Sequence, residues 1–322
     1  MMNGWLMRFP SRRLRQMVAG GVLCALTASC GTGIEVTEHV TDKDVRRVIE
    51  QKDSRQAMVT IDTYVDSVPA WKPGKRFWVA DNQVRLLFSG SQDYDIDTVS
   101  LAGHELCYTG YTTGGLYDNR MTVNLQFKDE LTGNVYVYRT DKTIDDFTRS
   151  FSIPMLIDMD MVAHMASQVT GKDYYVRTPI WYDCKNEQMI DGRHFIQVHI
   201  DSVLPGNGVM PLRVMFTALD NHERAMVWLS DNSSVMHGRD FDALFVAGNP
   251  RLAYPDITDE NWQRITRGQV VEGMTKDECR LSLGSPKHIN QRPDQSGMRE
   301  YWYYDGGSYL YFVDGLLSQY RR

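Results

Sequence analysis

The feature that most constrains the fold of this chain is a six-residue pattern that occurs twice. Gly74-Lys-Arg-Phe-Trp-Val79 has a counterpart 97 residues later in Gly171-Lys-Asp-Tyr-Tyr-Val176. In both copies a glycine and a lysine come before two aromatic residues and a valine. A repeated pattern of this kind indicates a structural unit that is used more than once.

Three further pairs of segments keep the same order along the chain, while their separation drifts by a few residues. They are 123–127 with 212–216, 137–141 with 227–231, and 147–151 with 241–245. Duplicated modules with loops of different length would give this drift. We therefore expect a duplication in the middle of the chain.

Short alternating runs predict β-strands within each copy. Phe195-Ile-Gln-Val-His-Ile200 alternates apolar and polar residues, and Pro205-Gly-Asn-Gly208 supplies a turn. The repeated opening and the number of short strands resemble the SH3-like domains of bacterial envelope proteins, over residues 70–150 and 168–250. This resemblance implies two small, half-open β-barrels in tandem. Residues 157–169 between them could form a connecting helix.

The residue pattern changes after residue 250 and predicts a C-terminal module. Thr258 precedes acidic residues and is expected to cap a helix that ends at Gly268. Thr275 and Glu278 have the spacing of a capping box, which predicts a second helix that ends at Gly284. An antiparallel meander of three strands is expected over 299–304, 308–313 and 316–320.

Four segments of this module resemble one known family. They are Gly273-Met-Thr-Lys-Asp-Glu-Cys-Arg280, Leu283-Gly-Ser-Pro286, Glu300-Tyr-Trp-Tyr-Tyr304 and Tyr311-Phe-Val-Asp-Gly-Leu316. In order and spacing they are similar to the SmpA/OmlA group, the small lipoprotein subunit of the outer-membrane β-barrel assembly machinery. The resemblance covers residues 257–320. It implies a two-helix, three-strand domain that binds other envelope proteins and has no catalytic residues.

Alternation along the expected strands collects tyrosines on one side of the meander. Tyr301, Tyr303, Tyr309 and Tyr311 share one parity. The other parity consists of Trp302, Tyr304, Leu310 and Phe312. The side chains of one parity should pack on the two helices of the module. The tyrosine parity is either a partner-binding surface, because tyrosine joins apolar area to a hydroxyl, or a face that the repeat region covers.

The N-terminus has the order of charge and apolar residues of a secretory signal. Four arginines precede the apolar run 17–28, which is shorter than the about 20 residues that cross a bilayer. Ala28 and Ser29 before Cys30 resemble the bacterial lipobox, and this resemblance implies a lipid on the Cys30 thiol. We expect a lipid-anchored protein of the bacterial cell envelope, at the outer membrane. An unmodified Cys30 after an ordinary secretory signal is the alternative.

The expected organisation is an exported α+β protein. Loss of residues 1–29 would remove four arginines and no acids, so the net charge would change from −6 to −10. Such a charge disfavours binding to phosphate backbones, and no nucleic-acid partner is expected. The expected segments are a signal peptide at 1–29, a tether and short helix at 30–56, barrel modules at 57–155 and 156–250, and the SmpA/OmlA-like domain at 251–322.

The sequence contains none of the common catalytic motifs. A nucleophile elbow, a zinc helix, a Cys-x-x-Cys pair, a phosphate loop and a dinucleotide fingerprint are all absent. His104 and Cys107 come nearest to a thiol nucleophile, but residues three apart on a strand point to opposite faces. His194 and His199 are five apart and cannot share a metal on a regular strand. We expect no enzyme activity, no cofactor and no metal site.

Two acidic pairs and three cysteines are also open to interpretation. Asp95 with Asp97 and Asp158 with Asp160 lack the glycine and glutamate of a calcium loop, so they are expected in solvated loops. At most one disulfide can form among the cysteines of the mature chain besides Cys30, and free thiols are expected. These cysteines are Cys107, Cys184 and Cys279.

The preferred functional hypothesis is a non-enzymatic lipoprotein that binds or scaffolds proteins during envelope assembly or maintenance. The alternative is binding to peptidoglycan, because SH3-like modules of exported proteins hold cell-wall peptides. Phe77, Trp78, Tyr174 and Tyr175 would then line the grooves. The least favoured hypothesis is a Cys107-dependent hydrolase, which needs a histidine within hydrogen-bond reach of the thiol.

Overall fold

The computed structural model describes residues 61–90, 100–117, 120–230, 238–294 and 297–321. The expected signal peptide, Cys30, the tether with its short helix, and Asp95 with Asp97 lie outside these ranges. The described chain is mostly β structure, with two curled antiparallel half-barrel sheets, a smaller third sheet and a few helices. None of the helices in these ranges has the length and apolar character that crossing a membrane requires.

The first sheet contains six strands, all paired antiparallel. They are β1 (Arg76–Val79), β2 (Phe88–Gly90), β3 (Glu105–Tyr117), β4 (Arg120–Asp129), β5 (Val135–Arg139) and β6 (Leu156–Asp158). Their order in the sheet is β2-β5-β4-β3-β1-β6. Alternate side chains of these strands point inwards, and Leu106, Leu125 and Phe127 are fully buried in the core that they form.

The second sheet contains seven strands in the order β13-β7-β10-β11-β12-β8-β9. They are β7 (Asp173–Val176), β8 (Ile180–Tyr182), β9 (Met189–Asp191), β10 (Ile196–Pro205), β11 (Leu212–Ala218), β12 (Arg224–Leu229) and β13 (Phe245–Val246). Helix α1 (Met159–Val169) directly follows β6 and contributes Val162 and Val169 to the core of this sheet. The short helix α2 (Phe241–Leu244) leads into β13.

The two sheets share one strand order. From one edge the first sheet runs β6-β1-β3-β4-β5-β2, and the second runs β13-β7-β10-β11-β12-β8 with β9 added at the end. The Gly74 amide donates to the Tyr108 carbonyl at 2.8 Å, and the Gly171 amide donates to the Ile200 carbonyl at 2.9 Å. Both glycines have a positive φ, +99° and +77°, which glycine adopts without a Cβ clash. The glycine that opens each sequence repeat therefore makes the same turn.

Three of the four repeated sequence pairs fall on corresponding strands, namely β1 with β7, β4 with β11, and β5 with β12. The fourth match, 147–151 with 241–245, is wrong as a structural alignment. Val79 pairs with Leu156, and its counterpart Val176 pairs with Phe245, so Leu156 and Phe245 are the equivalent positions. The match arose because each segment has two phenylalanines four residues apart. In both segments the two rings also touch, with centroids 4.9 and 4.6 Å apart.

The C-terminal module has two helices and a four-stranded sheet. Its elements are α3 (Asp259–Thr266), α4 (Lys276–Leu283), β14 (His288–Asp294), β15 (Gly297–Tyr303), β16 (Tyr309–Val313) and β17 (Leu316–Arg321), and its sheet order is β14-β15-β16-β17. Both predicted caps are confirmed. The Thr258 side chain accepts from the Asn261 amide at 3.2 Å, and Thr275 with Glu278 forms a capping box. Gly284, with a φ of +81°, ends α4 as expected.

The prediction of three strands in this module is wrong, because β14 is a fourth. It pairs along its whole length with β15, from His288 opposite Tyr303 to Asp294 opposite Gly297. Its sequence is polar and contains Pro293, so it has none of the apolar alternation that identifies a strand. Proline is tolerated there because β14 lies at the edge of the sheet.

A loop of the second sheet inserts between the helices of the C-terminal module. The His194 amide donates to the Thr266 carbonyl at 2.9 Å, and His194 Nε2 lies 3.0 Å from the Leu281 carbonyl. The Phe195 ring stacks on Trp262 with centroids 5.8 Å apart. The loop between β9 and β10 therefore joins the second sheet to both α3 and α4.

Candidate functional site

The tyrosines of the third sheet lie on the side that faces away from the helices. Trp302, Leu310 and Phe312 are at most 2% exposed and form the core with the helices, so the other parity points outwards. Tyr301 stands opposite Tyr311 across the ladder, and their rings stack with centroids 4.6 Å apart. The outward side is therefore a surface of stacked tyrosine rings.

The four tyrosines differ in how much surface they offer. Tyr303 is 42% exposed, Tyr301 and Tyr309 are half-buried, and Tyr311 is only 8% exposed. Arg299 Nη1 donates to the Tyr311 hydroxyl at 2.9 Å, which fixes that ring in place. The expectation that Tyr311 is itself a contact residue therefore needs correction, because its neighbours leave little of its ring accessible.

Arginines accompany the tyrosines on this side of the sheet. Arg292 stands directly opposite Arg299, and Arg321 stands directly opposite Tyr309. We define the tyrosine–arginine face by six residues. They are Arg292, Arg299, Tyr301, Tyr303, Tyr309 and Arg321.

The tyrosines of this face were predicted from the sequence, but its arginines were not. The parity of Arg299 with Tyr301 was a usable signal, because both lie on the same predicted strand. Arg292 could not be placed in the same way, since it lies on the unpredicted β14. The buried carboxylate of β15, Glu300, points to the other side and pairs with Lys276 Nζ at 2.6 Å.

The aromatic pairs proposed for glycan binding do not line grooves together. Phe77 is 3% and Tyr174 is 6% exposed, and both belong to the cores of their sheets. Trp78 and Tyr175 are half-buried, and Trp78 packs against the core of the second sheet. Successive strand residues point to opposite faces, so one member of each pair is turned into the core.

Cys107 has none of the features of an activated thiol. Its Sγ lies 3.8 Å from the Tyr108 carbonyl, whereas His104 Nδ1 is directed to Asp129 Oδ2 at 2.9 Å. Burial and the nearby Glu130 carboxylate raise the pKa of the Cys107 thiol. A nucleophilic cysteine needs a lowered pKa, so this environment opposes the role that the sequence left open.

The other candidate ligands are separated from one another. His199 Nδ1 lies 2.7 Å from Asp173 Oδ1, and His194 is buried in the contact with the C-terminal module. No group of three or more histidine, cysteine, aspartate or glutamate residues suited to a metal occurs within the described ranges. Cys107, Cys184 and Cys279 are free thiols in the structure.

An open groove of about 490 Å³ has a buried lysine at its base. Lys75 Nζ lies 2.7 Å from Asp158 Oδ1, 2.8 Å from Asp160 Oδ2 and 3.0 Å from Asp66 Oδ2. It also donates to the Tyr64 hydroxyl at 3.0 Å. The expectation of a solvated loop is wrong for Asp158, which ends β6 and has a side chain that is only 19% exposed. Asp160 lies in the first turn of α1 and not in a loop, but its side chain is 61% exposed.

The electrostatics of this cluster favour a fixed ion pair and not a reactive amine. Burial alone would lower the pKa of Lys75, but its hydrogen bonds to Asp158 and Asp160 outweigh burial and raise it. An ammonium group has three donor hydrogens, and four acceptors surround this one. The cluster therefore ties the segment that carries Tyr64 and Asp66 to β1 and to the start of α1.

Neither protein-family models nor curated proteins nor solved structures match this chain.

Proposed function

We propose that this chain is a non-enzymatic envelope lipoprotein that binds a partner protein through the tyrosine–arginine face. The observation that supports this proposal is the contrast between the two sides of the third sheet. One side is sealed against α3 and α4, and the other presents stacked tyrosines among arginines. The lipid on Cys30, the outer-membrane location, and the SmpA/OmlA-like and SH3-like character of the modules are parts of the same proposal.

The composition of the face suits protein binding. Tyrosine and arginine are enriched at interfaces because each combines contact area with hydrogen-bonding capacity. The Tyr301 and Tyr311 rings are already stacked, and the hydrogen bond from Arg299 holds Tyr311 in place. Side chains that are ordered before binding lose less entropy when a partner docks, so more of the contact energy remains as affinity.

The repeat region leaves part of this face accessible. With both half-barrel sheets present, Tyr303 keeps 42% of its surface exposed. A face covered by the rest of the chain would leave this side chain buried. The exposure of Tyr303 therefore favours a partner surface over the alternative that the sequence left open.

Co-purification from cells tests the proposal. We compare the wild-type protein with a double variant, Tyr301→Ser with Tyr303→Ser, and with the control Tyr320→Ser. Tyr320 is 44% exposed but pairs with Leu310, whose side chain lies on the helix side. We expect the double variant to lose a protein that the wild type and the control both retain, while all three chains remain folded. The same set of proteins with all three chains would contradict the proposal.

A further inference from the structure

We infer that the loop between β9 and β10 releases the C-terminal module when its histidine is protonated. The module then moves as a unit, while both half-barrel sheets stay folded. This inference goes beyond the proposed function and does not depend on it, although the released module is the one that carries the tyrosine–arginine face. Five residues hold the module at this loop, and we call them the docking contact. They are His194, Phe195, Trp262, Thr266 and Leu281.

The docking contact is small. The apolar cores of the two half-barrel sheets and of the C-terminal module are three separate clusters. Among the described residues before residue 250, Phe195 is the one whose side chain packs against the core of the module. Units of one chain move relative to each other unless the interface between them is large and apolar. Few contacts therefore have to break for the module to separate.

The loop is fixed to the second sheet on both sides of His194. The Phe195 amide donates to the Val176 carbonyl at 2.6 Å, and the Gly192 amide donates to the Pro179 carbonyl at 3.0 Å. The His194 amide between them donates to the module, at the Thr266 carbonyl of α3. Release of the module therefore breaks the hydrogen bond of the His194 amide and keeps that of the Phe195 amide.

Protonation of His194 opposes docking. The Leu281 carbonyl accepts the proton of Nε2, with 3.0 Å between the nitrogen and the oxygen. An added proton makes Nδ1 a second donor, and Nδ1 is buried without a hydrogen-bond partner among the described residues. A buried charge with an unpaired donor is costly, whereas water solvates both after release. Acid therefore favours the released state.

No charged group among the described residues bonds to the imidazole. Burial lowers the pKa of His194, and the hydrogen bond with the Leu281 carbonyl acts against burial. The Cys279 thiol of α4 is neutral, because burial raises its pKa to about 12. Asp191 at the end of β9 and Arg267 after α3 are exposed. The other charged residues of the loop and of the two helices bond elsewhere: Arg193 with Asp220, Asp259 with Arg251, Glu260 with Arg264, Lys276 with Glu300, Asp277 with Arg280, and Glu278 with Asn261.

The module itself should stay folded in the same range of pH. Its buried carboxylate, Glu300, pairs with Lys276 Nζ. Burial would raise the pKa of Glu300, but hydrogen bonds from Lys276 and Trp302 outweigh burial and lower it. This ion pair therefore persists at pH 5.5, above the ordinary pKa of a glutamate, about 4.3. The response to mild acid is then confined to the docking contact.

The direction of the pKa shift sets the range of pH. The docked His194 has a pKa below 6.5, and the released imidazole returns to the ordinary value of about 6.5. Between these two values only the released state binds the proton. The ratio of released to docked molecules therefore rises close to tenfold for each unit by which the pH falls. Below the docked-state pKa the ratio becomes constant.

Hydrogen exchange of the full-length protein at single-residue resolution tests this inference. The amide of residue 194 reports release, and the Phe195 amide reports the second sheet. The control His194→Gln keeps a neutral donor for the Leu281 carbonyl at every pH. From pH 6.5 to 5.5, exchange of amide 194 relative to its intrinsic rate should accelerate close to tenfold in the wild type and stay constant in His194→Gln. The Phe195 amide should stay protected in both chains.

Phe195→Leu gives a second measurement, because it removes the ring stack on Trp262 and keeps His194. Amide 194 of this variant should exchange faster than in the wild type at pH 6.5 and should accelerate further in acid. Three results would overturn the inference. They are an equal acid response of amide 194 in the wild type and His194→Gln, no acid response in Phe195→Leu, and a joint loss of protection at Phe195 and in β10 and β11, which would mean that the whole second sheet opens.

Discussion

At the scale of single residues, Lys75 is the clearest case of a buried charge that the fold requires. Its side chain is 4% exposed and is surrounded by the carboxylates of Asp66, Asp158 and Asp160. The carboxylates come from two segments that lie far apart in the sequence. The ammonium group holds these segments against β1, because without it three carboxylates would face one another.

Replacement of this lysine should destabilise the protein strongly. We expect Lys75→Met to lower the free energy of unfolding by about 3–5 kcal/mol, because it leaves buried carboxylates without a counter-charge. Asp160→Asn should lower it by less than about 1 kcal/mol, since the Asp160 side chain is 61% exposed. Urea unfolding followed by tryptophan fluorescence measures both variants. Equal losses would contradict the central position that we assign to Lys75.

Residue-scale features differ in how far the sequence could predict them. The tyrosine parity followed from alternation within two short strands, which is local information. The ion pairs of Lys75 could not be predicted, since Asp158 lies 83 residues away from it in sequence. The burial of Phe77 and Tyr174 was not predicted, because an aromatic residue on a strand is equally compatible with a core position and with a surface position.

At the scale of elements, the caps of α3 and α4 were predictable because they depend on residues three apart. Thr275 and Glu278 hydrogen-bond to each other within one turn, whatever the rest of the chain does. Edge strand β14 was not predictable, because its residues are held by backbone pairing with β15 and bury little apolar surface. The match of 147–151 with 241–245 failed for a similar reason, since the pairing of β6 with β1 leaves no trace in the sequence pattern.

The loop between β9 and β10 is the element whose stability should depend on pH. The Leu281 carbonyl can only accept a hydrogen bond, so His194 Nε2 carries the proton. His194 Nδ1 is buried and has no hydrogen-bond partner among the described residues. Burial lowers the pKa of His194 below its ordinary 6.5, and the imidazole is neutral in the folded protein.

This lowered pKa predicts that acid weakens the fold. As pH falls below about 6.5, the unfolded chain binds a proton at His194 before the folded chain does, so the free energy of unfolding decreases. The decrease should end once pH falls below the folded-state pKa. Gln can still donate to the Leu281 carbonyl, so His194→Gln should show a shallower dependence over the same range. Urea unfolding of the wild type and of His194→Gln across this pH range measures the free energy of unfolding of each. Parallel curves against pH would show that groups other than His194 cause the loss of stability.

At the scale of the whole molecule, two half-barrel sheets with the same strand order come before the C-terminal module, which has two helices and a different sheet. The repeated Gly74 and Gly171 turns indicated the pair of related sheets, and the change of pattern after residue 250 indicated the third unit. The insertion of the loop between β9 and β10 into the C-terminal module could not be predicted, because no pattern in the loop sequence indicates that it contacts α3 and α4. The sequence also could not show which face the molecule leaves accessible, since that depends on all three units together.

Site-specific photo-crosslinking in cells shows whether the tyrosine–arginine face contacts a partner protein. A photoreactive residue at Tyr303, which is 42% exposed, reports on the tyrosine–arginine face. One at Tyr320, which is 44% exposed, reports on a surface outside this face. We expect the residue at Tyr303 to capture a distinct partner protein that the residue at Tyr320 does not capture. Capture of the same proteins from both positions, or only crosslinks within the chain from Tyr303, would contradict it.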